Sequence, residues 1–377
     1  MSLQAAGLPV YLLSRPLRVG AYQRKAQLMA AGGRLRLTVG VPERWSDEGR
    51  AQPLELGSRQ GYRLETLRIL LPGSYHLHAY RGLGPALERS GAALLHMDEE
   101  PYNLATYLAL RQARRLGLGS LFFSWQNLER RYPPPFAWLE RQVYGLADGA
   151  IAGSEGAATV LRAKGYDGPL WVLPQFGVDE HAFAPPAPDP RLAATRSAPL
   201  RLGYAGRLVK AKGLDLLLEA AASEGGATVQ LVGQGPEEAS LRQLARTLGL
   251  GDRLRIDPWL PSTAMPDFYR AVDILVLPSR STAGWKEQFG RVLIEAMAAG
   301  AVCLGAESGE IPAVIGSAGL TFPEGDAAAL ASQIRRLQDP ALRRHLAEAG
   351  RRRVLEHFTM GRIADRTVAI YGELAGL

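Results

Sequence analysis

Short apolar runs that alternate with longer helical patterns limit the fold of this chain more than any other feature. In the first half the runs are LPVYLL, LRLTVGV, AALLHM, SLFFSW, GAIAGS and PLWVLPQ, and in the second half they are LRLGYAG, ATVQLVG, RLRIDPWL, DILVLPS and GAVCLGA. Gly or Pro bounds the runs, and helical patterns of roughly 10–20 residues separate them, which is typical of parallel βαβ units. The pattern therefore predicts an α/β protein with doubly wound sheets, whose ligands bind outside the carboxyl ends of the strands.

Length and one proline-rich stretch divide the chain. With 377 residues it is too long for one ordinary domain and suits two. The stretch FAPPAPDPRLAATRSAP contains prolines that prevent a packed element. The sequence therefore predicts a first domain over residues 1–183, a linker over 184–199 and a second domain from residue 200. The C-terminal part is helical, with breaks predicted near Gly350 and at residues 358–361.

Positive charge is concentrated at the start of the chain. The net charge is +7, and residues 1–36 hold six cations and no acid. The cations are Arg15, Arg18, Arg24, Lys25, Arg34 and Arg36. A basic patch attracts polyanions such as nucleic acid, acidic lipid surfaces or phosphorylated substrates. A solvated arginine-rich face is the alternative interpretation.

The cysteine count and the apolar runs indicate a compartment. The single cysteine, Cys303, excludes an internal disulfide and fits a reducing environment. No apolar run approaches the roughly 18–20 residues that a membrane span needs. The start, MSLQAAGLPVYLLSRP, has no basic segment before a short apolar stretch, which predicts a strand rather than a signal peptide. We therefore expect a cytoplasmic protein.

Two glycine-containing loops after second-half strands have phosphate-binding chemistry. In GYAGRLVKAKGLDLLLEA a strand ends at Gly206, and Arg207, Lys212 and Gly213 follow before a helix. Glycines let backbone N–H groups approach an anion, a helix N-terminus favours negative charge, and Arg with Lys neutralises a diphosphate without a metal. An ordinary structural turn is the alternative. The second loop, LVGQGPEEASL with Gly233, lacks the full G-x-G-x-x-G spacing, which disfavours a NAD site.

The stretch EQFGRVLIEAMAAG holds two glutamates separated by a Phe-Gly break. We predict a strand over DILVLPS, a loop, and then a helix over Arg291–Ala299, with Gly290 just before its first free N–H groups. Glu287 then lies in the loop, and Glu295 lies a little over one turn into the helix. A helix-dipole partner and a solvated face are the ordinary interpretations of these two acids. The helix is apolar nearly all round, however, so Glu295 needs a hydrogen-bonding partner.

The motifs GRLVKAKG, LVGQGP, VDILVLPS, EQFGRVLIEAMAAG and SGEIPAVIG occur in this order and resemble the donor domain of the large retaining glycosyltransferase family 4. The resemblance is strong over residues 200–322 and weaker in the first half. It implies the GT-B fold, which has two facing Rossmann-like domains. Residues 1–183 would bind the acceptor, residues 200–355 would bind the donor, and a helix over 356–377 would return to the first domain.

The resemblance also implies the reaction. The protein would be a hexosyltransferase that moves a sugar from a nucleotide-diphosphate sugar, with UDP or GDP as the nucleotide, to a glycan or lipid-linked acceptor with retention of configuration. Neither a bound cofactor nor a metal is expected. The expected partners are the sugar nucleotide, the acceptor and an anionic membrane surface that the basic N-terminal segment would contact, but no nucleic acid.

Residue roles carry over from the family motifs to matching positions. Arg207 and Lys212 would hold the diphosphate, Glu295 the ribose hydroxyls, and Glu287 the transferred sugar. The remaining residues expected around the donor are Gly206, Gly233, Pro258, Trp259, Leu260, Phe289, Gly290 and Arg291.

In the first half, LLHMDEEPYNLATY resembles a strand end where many relatives carry His-Glu-Pro, and Glu99 stands at the place of the histidine. We expect this carboxylate to face the sugar or the acceptor. A metal-binding triplet of Asp98, Glu99 and Glu100 is an alternative. A metal site of His76, His78 and His96 is another, although histidines without fixed spacing are more often ordinary hydrogen-bonded residues.

Rival functions remain open from the sequence. A glycoside hydrolase would use Glu287 and Glu295 as a carboxylate pair, but it needs no phosphate-binding cations such as Arg207 and Lys212. An inactive sugar- or polyanion-binding relative and a nucleotide-sugar epimerase are further alternatives.

Overall fold

The computed structural model describes residues 7–47, 50–57, 60–185 and 199–377. The chain forms two compact units: unit 1 comprises Met1–Gly177 and Met360–Leu377, and unit 2 comprises Val178–Thr359. Most of the predicted linker, residues 186–198, lies outside the described residues. Among the residues that the structure describes, no helix is both long enough and apolar enough to span a bilayer.

Unit 1 is built on a mainly parallel sheet. Its strands are β1 (Leu8–Leu13), β2 (Leu35–Pro42), β3 (Trp45–Asp47), β4 (Arg50–Gln52), β5 (Arg63–Leu70), β6 (Ala79–Arg81), β7 (Leu94–Met97), β8 (Gly119–Ser124), β9 (Gly149–Ala152) and β10 (Leu170–Val172). Within the described residues the main sheet has the order β10-β9-β8-β7-β1-β2-β5-β6, and β3 and β4 form a separate antiparallel ribbon. All neighbours in the main sheet pair in parallel except β5 and β6, which pair antiparallel.

Helices cover both faces of this sheet. The α-helices of unit 1 are α1 (Gln23–Ala31), α2 (Leu83–Ser90), α3 (Leu104–Arg115), α4 (Phe136–Leu146), α5 (Glu155–Ala163) and, after unit 2, α13 (Met360–Ala375). Alternate residues of β1 enter two separate cores: Val10 and Leu12 lie in one, and Tyr11 lies in the other. The first core also contains Ile363 and Tyr371 of α13, which packs against α1. The expected return of the C-terminal helix to the first domain is thus part of the fold.

Unit 2 repeats the architecture with a fully parallel sheet. Its strands are β11 (Arg201–Ala205), β12 (Thr228–Val232), β13 (Leu254–Asp257), β14 (Ile274–Leu277), β15 (Val302–Ala306) and β16 (Leu320–Phe322). Its α-helices are α6 (Leu214–Ser223), α7 (Glu238–Thr247), α8 (Met265–Ala271), α9 (Arg291–Ala299), α10 (Ile311–Ile315), α11 (Ala327–Arg336) and α12 (Pro340–His357). The sheet order over the described residues is β13-β12-β11-β14-β15-β16.

Each sheet has one point where its strand order reverses. In unit 1 the reversal lies between β1 and β7, and in unit 2 it lies between β11 and β14. At such a point the connections leave in opposite directions and open a crevice at the carboxyl ends of the strands. The predicted doubly wound α/β class is confirmed, and these two reversal points are the places to search for chemistry.

The break predicted near Gly350 is wrong. Helix α12 continues through this residue and ends at His357. A Cβ at Gly350 would lie only 3.0–3.4 Å from side-chain atoms of Met297 on α9. The glycine therefore permits close packing of α12 on α9 and does not interrupt the helix. The second predicted break is confirmed, because Phe358 and Thr359 separate α12 from α13.

Candidate active site

The reversal point of unit 2 brings together two of the loops that the sequence singled out. Residues 206–213 follow β11, and the segment that carries Glu287 follows β14. A backbone hydrogen bond of 2.8 Å from the Arg280 N–H to the Ala211 carbonyl joins the two loops. The Arg280 guanidinium also donates to both oxygens of Asp215 at 2.8 Å each.

Lys212 and Glu287 meet in this crevice. The Lys212 Nζ lies 2.6 Å from the Glu287 Oε2, and the Ser279 hydroxyl lies 3.1 Å from the same oxygen. The ammonium also lies 4.4 Å from the ring centroid of Trp285. A cation on an aromatic face gains electrostatic attraction to the ring. Ser279 and Trp285 are contacts that the sequence motifs did not predict.

Glu295 is buried on the second turn of α9, and both of its oxygens have partners. The Tyr269 hydroxyl donates to Oε2 at 2.7 Å, and the Arg291 Nε donates to Oε1 at 2.7 Å. Burial and the nearby Glu295 charge raise the pKa of Tyr269 well above its ordinary value, so this hydroxyl is a permanent donor. The prediction that a buried Glu295 needs a hydrogen-bonding partner is confirmed.

The glycines at the ends of β11 and β12 lie against one another. Gly233 has φ 148°, and a Cβ there would lie 1.9 Å from the Gly206 carbonyl oxygen. A side chain at Gly233 would therefore collide with the loop that carries Arg207. The backbone oxygen of Arg207 accepts a hydrogen bond of 2.9 Å from Tyr204.

The helix α9 starts where the sequence predicted. Gly290 is its N-cap residue with φ 76°, and a glycine has no side chain with which to cap the helix. The Leu293 N–H donates to the Gly290 carbonyl at 2.8 Å, and a helix N-terminus favours an anion through its dipole. Phe289 is buried just ahead, edge-on to Phe358 with ring centroids 5.8 Å apart. Pro258, Trp259 and Leu260 follow β13, which lies two strands from the reversal point, and Trp259 is exposed.

The reversal point of unit 1 joins the ends of β1 and β7 through buried polar contacts. The Ser14 hydroxyl donates to Asp98 at 2.6 Å, and the Gln175 amide donates to its other oxygen at 2.9 Å. Lys25 donates to the backbone oxygen of Gln175 at 2.8 Å. Burial lowers the pKa of Lys25 to about 8, and burial also raises the pKa of Asp98 against the attraction of this lysine.

Glu99 pairs with the buried side chain of His78, a pairing that the sequence did not predict. The His78 Nε2 lies 2.8 Å from one Glu99 oxygen, although its N–H does not point along a good hydrogen-bond line. The His78 Nδ1 donates to the Ser74 carbonyl at 3.0 Å, and Tyr80 donates to the other Glu99 oxygen at 2.8 Å. Burial opposes charge on both groups and is the largest single effect, but the attraction between the two groups and the hydrogen bonds to them together outweigh it. The pKa of His78 is therefore raised and the pKa of Glu99 is lowered.

Glu100 takes a third set of partners. It accepts a hydrogen bond from the Ser124 hydroxyl at 2.6 Å and one from the Trp125 backbone N–H at 2.7 Å. Burial raises the pKa of Glu100 to about 7 in spite of these bonds. The three acids of the predicted triplet therefore use separate donors.

The three histidines are also separate. His96 contacts the Tyr371 hydroxyl at 2.7 Å and His76 contacts Asn103, whereas His78 pairs with Glu99. Across residues 7–47, 50–57, 60–185 and 199–377 no group of three metal-type side chains converges on one point.

The basic N-terminal segment does not form one surface patch. Lys25 and Arg18 are buried, and Arg18 donates to the Pro42 carbonyl. The Arg15 guanidinium lies 4.7 Å and 4.8 Å from the ring centroids of Trp45 and Tyr75. Arg15 lines a pocket of about 120 Å³, together with Pro16, Tyr75, His76, Asp98, Glu99, Glu100, Tyr102, Asn103, Phe123, Trp125 and Gln175. Two of the six cations of residues 1–36, Arg18 and Lys25, therefore lie inside the fold.

The fold is that of the GT-B glycosyltransferases. A sucrose-phosphate synthase from Thermosynechococcus elongatus superposes with a TM-score of 0.74 over 98% of this chain and 99% of that one, at 22% identity. Anabaena Alr3699/HepE in complex with UDP and glucose gives 0.71 over 98% and 100% of the two chains, at 18% identity.

Sequence comparison shows similarity to one family of glycosyltransferases. Residues 194–353 match the family model described as glycosyl transferases group 1. A D-inositol 3-phosphate glycosyltransferase of Streptomyces bingchenggensis (strain BCW-1) is 33% identical over 265 residues, which are 64% of this chain and 56% of that relative. The chain thus spans about half the length of the curated relatives it matches. Residues 194–353 are thus similar in sequence to the group 1 glycosyltransferases.

Proposed function

We propose that the protein is a retaining glycosyltransferase that moves a hexose from a nucleotide-diphosphate sugar to a glycan or a lipid-linked acceptor. The observation that carries the proposal is the Lys212–Glu287 pair at the reversal point of unit 2, with its 2.6 Å contact. A cation, a carboxylate and the N-terminus of α9 lie along neighbouring loops there. These groups suit a ligand that is anionic at one end and hydroxylated at the other.

Donor binding would exchange partners within this pair. The donor diphosphate would take the place of Glu287 beside Lys212, with Arg207 and the positive end of the α9 dipole as further stabilising groups. Glu287 would then accept hydrogen bonds from sugar hydroxyls. Diphosphate departure is the charge-separating step, and preorganised donors at the developing charge are the strongest catalytic contribution available to such a site.

Glu295 would bind the ribose hydroxyls of the donor. It stands on α9, one turn beyond the proposed phosphate site, and the hydrogen bonds from Tyr269 and Arg291 fix its position. Pro258, Trp259 and Leu260 would lie beside the base. UDP is the first nucleotide to test, because the Anabaena neighbour was solved in complex with UDP and glucose.

Retention is proposed from the family resemblance. The acceptor would attack on the face that the diphosphate leaves, and the departing phosphate would take the acceptor proton. This route needs no separate catalytic base. The acceptor would occupy the unit 1 pocket beside Glu99, and proton NMR of the product would report the anomeric configuration.

A hydrolase that uses Glu287 and Glu295 is not favoured. A hydrolase has no leaving diphosphate to neutralise, so it needs no cation such as Lys212, whose Nζ lies 2.6 Å from the Glu287 Oε2.

A thermal-shift panel of UDP-, GDP- and ADP-sugars tests the proposal. A ligand at 100 times its dissociation constant stabilises the folded state by about 2.7 kcal/mol. We expect one nucleotide series to raise the melting temperature, and we expect Lys212→Ala to weaken that shift. Lys210→Ala is the matched control, because Lys210 is an exposed lysine of the same turn. If none of the sugar nucleotides shifts the unfolding transition, the proposal fails.

A further inference from the structure

The loop between β5 and β6 presents large apolar side chains to solvent. Leu70, Leu71, Tyr75 and Leu77 are 43%, 59%, 42% and 42% exposed. The loop is nevertheless ordered by hydrogen bonds, from the Ser74 N–H to the Leu71 carbonyl at 3.1 Å and from the His78 N–H to the Ser74 carbonyl at 3.2 Å. Single exposed leucines are ordinary, but several exposed apolar side chains on one loop are typical of an interaction surface.

Leu71 also has an unusual backbone. Its φ is 52°, and among the residues that the structure describes it is the only non-glycine with a positive φ. Leucine is disfavoured in this region, where Gly or Asn is tolerated. For the stability of the fold alone, Gly or Asn would therefore be more favourable than Leu at position 71. A leucine that is both exposed and strained indicates a role outside the fold.

The flanks of the loop are basic. From Thr66 to Leu87 the sequence contains no Asp or Glu. Arg68 and Arg81 face each other directly across the antiparallel β5–β6 pair, and both are exposed. Like charges at directly opposed positions repel each other. Within the described residues neither arginine has an ion-pair partner.

We propose that this surface, the hairpin face of Arg68, Leu70, Leu71, Tyr75, Leu77 and Arg81, docks on an anionic lipid bilayer. The leucines would enter the boundary between headgroups and acyl chains, and the exposed edge of Tyr75, whose ring packs on Arg15 and Trp45, would lie at the headgroup level. The arginines would contact lipid phosphates, which supply the negative charge that the protein does not. A second copy of the same face is a poor occupant, because a symmetric contact would place the arginines of one copy against those of the other.

The loop that carries the hairpin face also lines the unit 1 pocket. Its residues Tyr75 and His76 line the unit 1 pocket together with Glu99, whereas Leu71 and Leu77 point to solvent. One loop therefore serves as a wall of the pocket and as part of the hairpin face. Docking would bring the pocket to the level of the headgroups, where an acceptor joined to a lipid is found. The docking itself does not depend on the proposed transferase activity.

Co-sedimentation with vesicles tests the proposal on the full chain. We expect binding to phosphatidylcholine–phosphatidylglycerol vesicles and little binding to phosphatidylcholine alone. Arg68→Gln with Arg81→Gln should lower the partition coefficient by about 30-fold, the effect of two basic residues near an anionic surface. The control is Arg344→Gln with Arg352→Gln, two exposed arginines on α12 of unit 2, which should leave binding unchanged.

Leu71→Asn separates docking from folding. Asn accepts a positive φ, so the melting temperature should stay equal or rise while vesicle binding falls. Leu355→Asn, at a leucine of α12 that is 40% exposed, is the matched control and should keep full binding. Equal binding by the hairpin variants and wild type, or equal binding to neutral vesicles, would overturn the proposal. So would a change of oligomeric state by light scattering in these variants, which would indicate a protein partner.

The sugar-nucleotide thermal shift is measured on every variant. A retained shift with lost vesicle binding isolates the docking surface. If no sugar nucleotide raises the melting temperature of the wild type while the wild type still binds vesicles, the proposed function is rejected and the docking proposal stands.

Discussion

The two reversal points share a topology and differ in how their charges are held. In unit 1, Asp98, Glu99 and Glu100 are buried, and each takes hydrogen bonds from its own set of protein donors. In unit 2, Lys212 is partly exposed and its 2.6 Å contact is to Glu287, a carboxylate that reaches it from a neighbouring loop. One crevice is an internally satisfied polar network, and the other holds an ion pair that a charged ligand can open.

This difference predicts different roles for the reversal points of the two units. A buried, satisfied network fixes the shape of a crevice and resists change, because removing one member leaves another unpaired in a low dielectric. Lys212 is half-buried and Glu287 is buried, so the pair is open to solvent mainly on the side of the lysine. Unit 1 therefore holds a fixed shape, and in the proposed function unit 2 would exchange Glu287 for the donor beside Lys212.

Replacement of His78 by Gln should have the largest effect on stability. It leaves the Glu99 charge buried without its ionic partner, which costs about 3–5 kcal/mol. Because the folded-state pKa of His78 is raised, its contribution is fully present below about pH 6.5, the ordinary histidine pKa. It is lost as the pH rises through the raised value. Urea unfolding across this range should show the difference between wild type and variant shrinking with pH.

His181→Gln serves as the control for that experiment. His181 is an exposed histidine of unit 2, and its replacement should leave both the stability and its pH dependence unchanged. A wild-type minus His78→Gln difference that stays constant with pH would show that the pair is not ionic. Unit 1 would then lose its contrast with unit 2.

Lys212→Ala tests the other side of the comparison. Loss of one preorganised charge at the leaving group should lower turnover by about 10²–10³. Lys212→Ala also leaves the buried Glu287 carboxylate without its cation, so the free energy of unfolding should fall as well. Steady-state kinetics with the donor found by thermal shift give the measurement, with Lys210→Ala as control. Equal losses in the two variants would remove the special role of the pair.

Two buried tyrosines allow the finest comparison. Tyr269 donates to the Glu295 carboxylate, whereas Tyr371 contacts His96, whose pKa burial and Lys25 hold well below its ordinary value. Hydrogen bonds to charged groups contribute about 1.5–3 kcal/mol and neutral ones about 0.5–1.5 kcal/mol. Tyr269→Phe should therefore destabilise more than Tyr371→Phe in urea unfolding. It should also raise the donor KM, and the reverse ranking would show that the Tyr269–Glu295 hydrogen bond is not the stronger of the two.

The sequence predicted the continuous elements well. The helix over Arg291–Ala299 is confirmed to the residue, and the apolar runs correspond to strands in both units. It did not predict β5, because only alternate residues of RLETLRIL are buried and no continuous apolar run results. The strand β16 was also missed, since three residues are too short for a periodic signal.

Local sequence patterns could not predict which side chains would contact one another. Tyr269 lies 26 residues before Glu295 along the chain, and His78 lies on a loop that packs beside Glu99 only in the folded unit. Burial of Arg18 and Lys25 was likewise unpredictable, because a run of cations looks the same whether its members face water or a carbonyl. The donor roles of the motif residues stay predictions until a ligand is bound.

The chain leaves unit 1 for unit 2 and then returns to unit 1, and this path determines the order in which the two units can fold. Unit 1 needs Ile363 and Tyr371 of α13 for its core, and the whole of unit 2 precedes α13 in the chain. During synthesis, at roughly 5–20 residues per second, unit 2 can close on itself as soon as α12 has emerged. The apolar surfaces of β1 and α1 that α13 covers must wait longer. We therefore expect a nascent chain to keep this apolar face exposed for many seconds after β1 and α1 have been made.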